Sequence, residues 1–122
     1  MIKVKADMHV NVIGGEQHER FMTHSIVDWC INHFNLDVHK TSVNVELKVI
    51  TDCYGTCVDN DEGGYDITIS INQPLRDLVA TIVHEMVHVK QYVTGKWKGT
   101  GEREASNLQY KLTDKLWQEG IL

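Results

Sequence analysis

His84, Glu85 and His88, within Ile82-Val83-His84-Glu85-Met86-Val87-His88-Val89, are spaced as H-E-x-x-H. On a helix, residues four apart share a face, so the two histidines aim their imidazoles at one point. Two nitrogen donors so placed are half of a zinc site. Glu85, turned by about 100° from His84, cannot ligate with both histidines, but it reaches a water held at an open fourth position and can take its proton. A pattern this short also arises by composition in a chain with seven histidines, so the elements around it have to support a site.

The helix beneath the motif is well marked. Asn72-Gln73-Pro74 supplies a cap and a proline near the first helical position, and Gly95 supplies a stop. Between them Leu75, Leu78, Val79, Ile82, Val83, Met86 and Val87 recur at spacings of three and four, the stripe of a core-facing helix. His84 and His88 border that stripe, as residues lining the edge of a cleft do. The residues flanking the motif are uncharged apart from Lys90, where zinc peptidases usually carry an apolar residue.

A catalytic zinc takes three protein ligands and leaves one position open. No histidine follows His88, and the metzincin continuation would need Gly at Gln91 and His at Thr94, so a downstream third ligand must be a carboxylate. Glu102, Glu104, Asp114 and Glu119 are the candidates. The first two open a second helix whose apolar stripe is Ala105, Leu108, Leu112 and Leu116, and they flank it on opposite sides. Periodicity leaves the choice between Glu102 and Glu104 open, and either can equally be a first-turn acid complementing the helix dipole.

His84-Glu85-Met86-Val87-His88 followed by Glu102-Arg103-Glu104-Ala105 resembles the gluzincin metallopeptidases, above all the minigluzincins and small phage-type H-E-x-x-H proteins. The resemblance spans roughly residues 65 to 112 and implies Glu104 as the third zinc ligand. It also implies that the strand Tyr65 to Ile71 is a sheet edge along which an extended peptide substrate lies by strand addition. Gluzincins often place an Asp four residues after the ligand Glu to orient a zinc-bound histidine; here that position is Leu108, with Asn107 beside it.

The rest of the chain supplies a small α+β domain over residues 1–122. Ile2, Val4, Ala6, Met8, Val10 and Val12 alternate as a half-buried strand that Gly14-Gly15 ends. Residues 16–34 read as a helix with Met22, Ile26, Trp29, Cys30 and Phe34 inward. Val43, Val45, Leu47 and Val49 form a second strand, and Tyr65, Ile67, Ile69 and Ile71 another, in an antiparallel or mixed sheet packed on the motif helix and the C-terminal helix. The acidic Asp59-Asn60-Asp61-Glu62-Gly63-Gly64 reads as a solvated hairpin loop, since an EF-hand reading would put Gly63 and Ser70 at ligand positions and a strand in place of the exit helix.

At 122 residues and 42% hydrophobic, the chain has core enough for one domain, which must build the whole site. A net charge of −5 with scattered basic residues argues against a nucleic-acid partner. No apolar run has signal-peptide or membrane-span length, so a cytoplasmic protein with no membrane partner is expected. Three cysteines, Cys30, Cys53 and Cys57, do not make a complete disulfide framework, and Cys53-Tyr54-Gly55-Thr56-Cys57 reads as small residues at a turn in a sheet.

The leading expectation is a zinc-dependent peptidase acting on a peptide or protein substrate, as a monomer or an oligomer of open size, with Zn2+ held by His84, His88 and Glu104 and Glu85 as general base. Tyr92, Tyr110 and His24 are candidate oxyanion donors. Two alternatives are a zinc-binding regulatory or structural protein with little proteolysis and a metal-free interaction module. A third, a repair protease of the SprT-like kind, would take a third histidine from His9, His18, His24, His33 or His39.

Overall fold

The computed structural model describes residues 8–36 and 41–122. The chain runs β1 (Met8–Gly14), α1 (Gln17–His33), β2 (Thr41–Lys48), β3 (Gly55–Asp59), β4 (Gly64–Ser70), α2 (Leu75–Thr94) and α3 (Glu102–Gln118). The four strands form one mixed sheet in the order β1-β2-β4-β3; β1, β2 and β4 are parallel, and β3 returns antiparallel on β4. The α+β class read from the sequence is the one observed. The first seven residues of the expected N-terminal strand lie outside the described residues.

Alternation along the strands decides which face is dry. Val43, Val45 and Leu47 of β2 stand beside Tyr65, Ile67 and Ile69 of β4, and Val10 and Val12 of β1 beside Val43 and Val45. This face packs into one core with Ile26, Val27 and Cys30 of α1 and Val79, Ile82, Val83 and Met86 of α2. The opposite face carries a polar ladder in which Asn11 Nδ2 donates to Asn44 Oδ1 at 3.0 Å and Asn44 Nδ2 donates to Asp66 Oδ1 at 3.1 Å. A one-residue slip of β2 would drive Asn44 and Glu46 into the core, so the pattern fixes the register.

α2 is the central helix. It packs on α1, β3, β4 and α3, and its buried residues run from Leu78 to Gln91. Gly95 ends it in the left-handed region at φ 68°, its N–H donating to the Gln91 carbonyl at 2.8 Å. At the other end Pro74 occupies the cap position without a side-chain cap, and Asp77 lies in the first turn.

Four expectations are corrected. Leu75, placed in the inward stripe, is exposed because it opens the helix beyond the reach of the core, and Val49 is exposed because β2 has already ended at Lys48. The C-x-x-x-C segment is not merely a turn: Gly55 to Asp59 form β3. The strand Tyr65 to Ile71 is not a sheet edge, since β4 is paired with β2 on one side and β3 on the other. The acidic segment is the expected hairpin loop, organised by Asn60 Oδ1, which accepts from the N–H groups of Glu62 and Gly64.

Candidate metal centre

α2 and α3 pack antiparallel, with contacts running from Gln91 against Glu104 back to Arg76 against Asp114. The far end is tied by Arg76 to Asp114 at 2.8 Å and by Tyr110 Oη donating to Asp77 at 2.6 Å. At the near end His84 and His88 face the first turn of α3. His84 Nε2 lies 2.9 Å from Glu102 Oε2 and His88 Nε2 lies 2.8 Å from Glu102 Oε1. One atom from each of these three side chains falls within 4.8 Å of the others, the one such group able to hold a metal among the described residues.

The carboxylate that meets the imidazoles is therefore Glu102. Glu104, expected as third ligand from the resemblance, is two residues on and about 200° round the helix; its carboxylate accepts from Lys90 Nζ at 2.6 Å and Gln91 Nε2 at 2.9 Å. Those bonds hold the Glu104 carboxyl below the usual carboxylate range, the Lys90 hydrogen bond first and the Gln91 bond second. The distinguishing signal was Gln109, seven residues after Glu102 and so on the same face of α3: its Oε1 lies 2.6 Å from His84 Nδ1.

Each imidazole is thus held from behind by a glutamine. Gln109 meets His84 and Gln91 meets His88 Nδ1 at 2.8 Å. These occupy the place of the orienting Asp that Leu108 lacks, while Leu108 itself packs against the core.

The donor set could hold a metal ion. His88 faces an amide oxygen at Nδ1 and a carboxylate oxygen at Nε2, and a neutral imidazole has only one N–H to give. A cation held between Nε2 and Glu102 would meet the surplus acceptor, as would a second proton on the ring. Two imidazole nitrogens and one carboxylate oxygen suit zinc, whose tetrahedral ligand atoms stand about 3.3 Å apart for bonds of about 2.05 Å. Here the two Nε2 atoms lie 2.9 and 2.8 Å from different oxygens of Glu102, and one donor atom from each side chain falls within 4.8 Å of the others.

Glu85 sits beside this group, only 5% exposed. Burial pushes its carboxyl above the usual range, His84 and His88 pull it back, and Glu102 raises it further. β3 crosses directly over it: a Cβ built on Gly55 would stand 3.1 Å from Glu85 Oε2 and 2.9 Å from Thr81 Cγ2. Histidines and base therefore lie between the antiparallel edge strand and α3. The two histidine side chains are 16% and 13% exposed and Glu102 is 59% exposed, so the group opens to solvent on the α3 side.

Of the three candidate oxyanion donors, two are committed elsewhere. Tyr110 serves Asp77, and His24 pairs with Asp28 along α1 at 3.2 Å. Tyr92 stacks on Tyr65 at 5.6 Å, meets Trp97 edge-on at 6.1 Å and shares a cavity of about 80 Å³ with His88, Gln91 and Thr100. His33 stacks on Trp29 at 4.6 Å; among the described residues no upstream histidine joins the group, and His39 lies outside them. The described cysteines are unbridged. No described helix is long and apolar enough to cross a membrane. No protein-family model, curated protein or solved structure matches the chain.

Proposed function

We propose that this protein is a zinc-dependent peptidase whose metal is held by His84, His88 and Glu102 and whose general base is Glu85. The observation that carries the reading is the conjunction of a three-ligand group with a buried carboxyl of raised pKa one residue from the first ligand. A buried carboxyl whose pKa is pushed above the ordinary carboxylate range suits a group that takes and returns a proton. The similarity of the motif to gluzincins supports the same chemistry.

A zinc ion bound there supplies Lewis acidity toward a carbonyl and acidifies water. Glu85 accepts the proton from the attacking water on a carboxylate oxygen and delivers it to the leaving amide nitrogen. The ring cluster Tyr65-Tyr92-Trp97 walls one side of the cleft beyond His88. Substrate backbone adds to the free edge of β3, the strand that crosses Glu85, in the role that the resemblance to gluzincins implied for Tyr65 to Ile71. An edge that offers main-chain groups reads an extended peptide more than its side chains.

Glu85→Gln tests the mechanism. It is expected to abolish cleavage of a generic unfolded protein substrate while zinc content stays at the wild-type level. Hydrolysis at the wild-type rate by Glu85→Gln would remove Glu85 from the mechanism. Zinc bound by wild type with no turnover of any peptide would select the alternative, a metal-binding regulatory or structural protein.

A further inference from the structure

Three features of the sequence stand outside the metal centre itself: Lys90 where an apolar residue is usual, Glu104 close to the ligands without joining them, and Leu108 in place of an orienting acid. We propose that the first two belong to one device: Lys90, Glu104 and Gln91 form a positioning relay that fixes His88 as an Nε2 donor. The proposal rests on the reading of His84, His88 and Glu102 as a metal centre.

The orientation of the Gln91 amide is decided by its surroundings. Its Nε2 lies 2.9 Å from the Gly101 carbonyl oxygen and 2.9 Å from Glu104 Oε1, two groups that only accept. The amide nitrogen must face them, which turns Oε1 toward His88 Nδ1 at 2.8 Å. An amide oxygen has no hydrogen to give, so the proton of this bond sits on His88 Nδ1. The lone pair of the neutral ring is then on Nε2, the nitrogen that faces Glu102.

Glu104 reinforces the orientation that the Gly101 carbonyl also favours. Without an acceptor beside Gly101, the amide has less reason to choose one orientation, and a flipped Gln91 would present an NH2 to Nδ1 and favour the opposite tautomer. Lys90 holds Glu104 in turn: its Nζ donates to Oε2 at 2.6 Å and lies 5.7 Å from the Phe34 ring centroid. Gln91 is 3% exposed, so water does not substitute freely for these partners. The backbone leaves room for the relay at one point only because residue 101 is glycine: a Cβ there would stand 2.2 Å from Gln91 Oε1. Glu104 thus serves the centre through Gln91 and ligates nothing.

The test measures Zn2+ affinity by chelator competition for the full chain and for Gln91→Met, Glu104→Gln and Glu104→Leu. His88 is read separately by nitrogen-15 NMR in metal-free Glu102→Ala protein, with and without Gln91→Met. Gln91→Met is expected to weaken zinc binding by about 10- to 100-fold, the usual effect of losing a group that orients a ligand. Glu104→Gln keeps an oxygen to accept from Gln91 and is expected to bind zinc more tightly than Glu104→Leu. In the NMR arm the His88 proton is expected on Nδ1 with Gln91 present and on Nε2 after Gln91→Met. An unchanged tautomer overturns the relay, as does a Glu104→Gln variant that loses zinc as completely as Glu102→Ala, which would make Glu104 a ligand. If wild type binds no zinc, the metal-centre reading fails and the NMR comparison still decides the relay. If Gln91→Met does not fold, the two Glu104 variants, changed at a partly exposed position, decide it.

Discussion

Gly101 and Gly95 offer a matched pair of perturbations. Both glycines have positive φ, 79° and 68°, and an alanine at either costs about 1–2 kcal/mol in backbone strain. They differ in what a Cβ would meet. At Gly95 nothing lies within 4 Å, whereas at Gly101 the new carbon would stand 2.2 Å from Gln91 Oε1, 2.7 Å from its Cδ and 2.8 Å from its Nε2. The Gln91 amide has to leave, abandoning its bonds to Gly101, Glu104 and His88. Stranding buried polar groups costs about 1–3 kcal/mol, so Gly101→Ala should lose about 2–5 kcal/mol against about 1–2 for Gly95→Ala. For a chain of this length each kcal/mol lowers Tm by about 4 °C, which separates the two variants by about 4–12 °C. Denaturant unfolding of the metal-free proteins and zinc competition on the same samples measure both consequences. Gly101→Ala should also bind zinc about tenfold or more weakly, with Gly95→Ala unchanged. Equal stability and equal zinc affinity for the two variants would refute the reasoning, because strain alone would then account for everything.

Two further outcomes follow from the same geometry. The Glu85 carboxyl is raised by burial, so its neutral form is favoured in the folded state: the metal-free protein keeps the full benefit below the ordinary Glu pKa and loses it as pH rises through the raised value. Glu85→Gln should therefore be more stable than wild type at neutral pH without metal, with the gap closing on acidification, as pH-dependent unfolding would show; a gap that widens toward low pH would reverse the sign. Gly55→Ala should reduce peptide hydrolysis while leaving zinc affinity close to wild type, because the added Cβ presses on Thr81 and Glu85 and none of its three nearest atoms belongs to His84, His88 or Glu102; zinc loss equal to the activity loss would show that β3 supports the metal and not the base.

The helices and the central strands could be read from the chain because their signals are local. The α2 stripe from Leu78 to Val87 and the left-handed Gly95 are visible in any window of the sequence, and the alternation of Val43, Val45 and Leu47 needs no partner to be recognised. Strand β3 was not legible, since five residues beginning Gly-Thr-Cys carry little alternation and take their strand character from pairing with β4. Strand order was hidden for the same reason, and with it the fact that the edge beside Glu85 belongs to residues 55–59. At the site, the placing of His84 and His88 on one face of α2 follows from their spacing. The choice of Glu102 over Glu104 does not, because the two acids lie at similar angles on either side of the Ala105-Leu108-Leu112 stripe. What separates them is tertiary: Gln109 turns the Glu102 face toward His84, and Lys90 and Gln91 draw Glu104 away.

The central claim is that His84, His88 and Glu102 hold one metal ion, and zinc content per chain tests it most directly. Protein prepared without a histidine tag and dialysed against trace zinc should carry about one equivalent by elemental analysis, the capacity of a single site. Glu102→Ala and His84→Ala should each carry far less under the same dialysis, and Glu104→Gln should stay near wild type. A wild-type protein without zinc, or a Glu102→Ala variant that retains a full equivalent, would contradict the account.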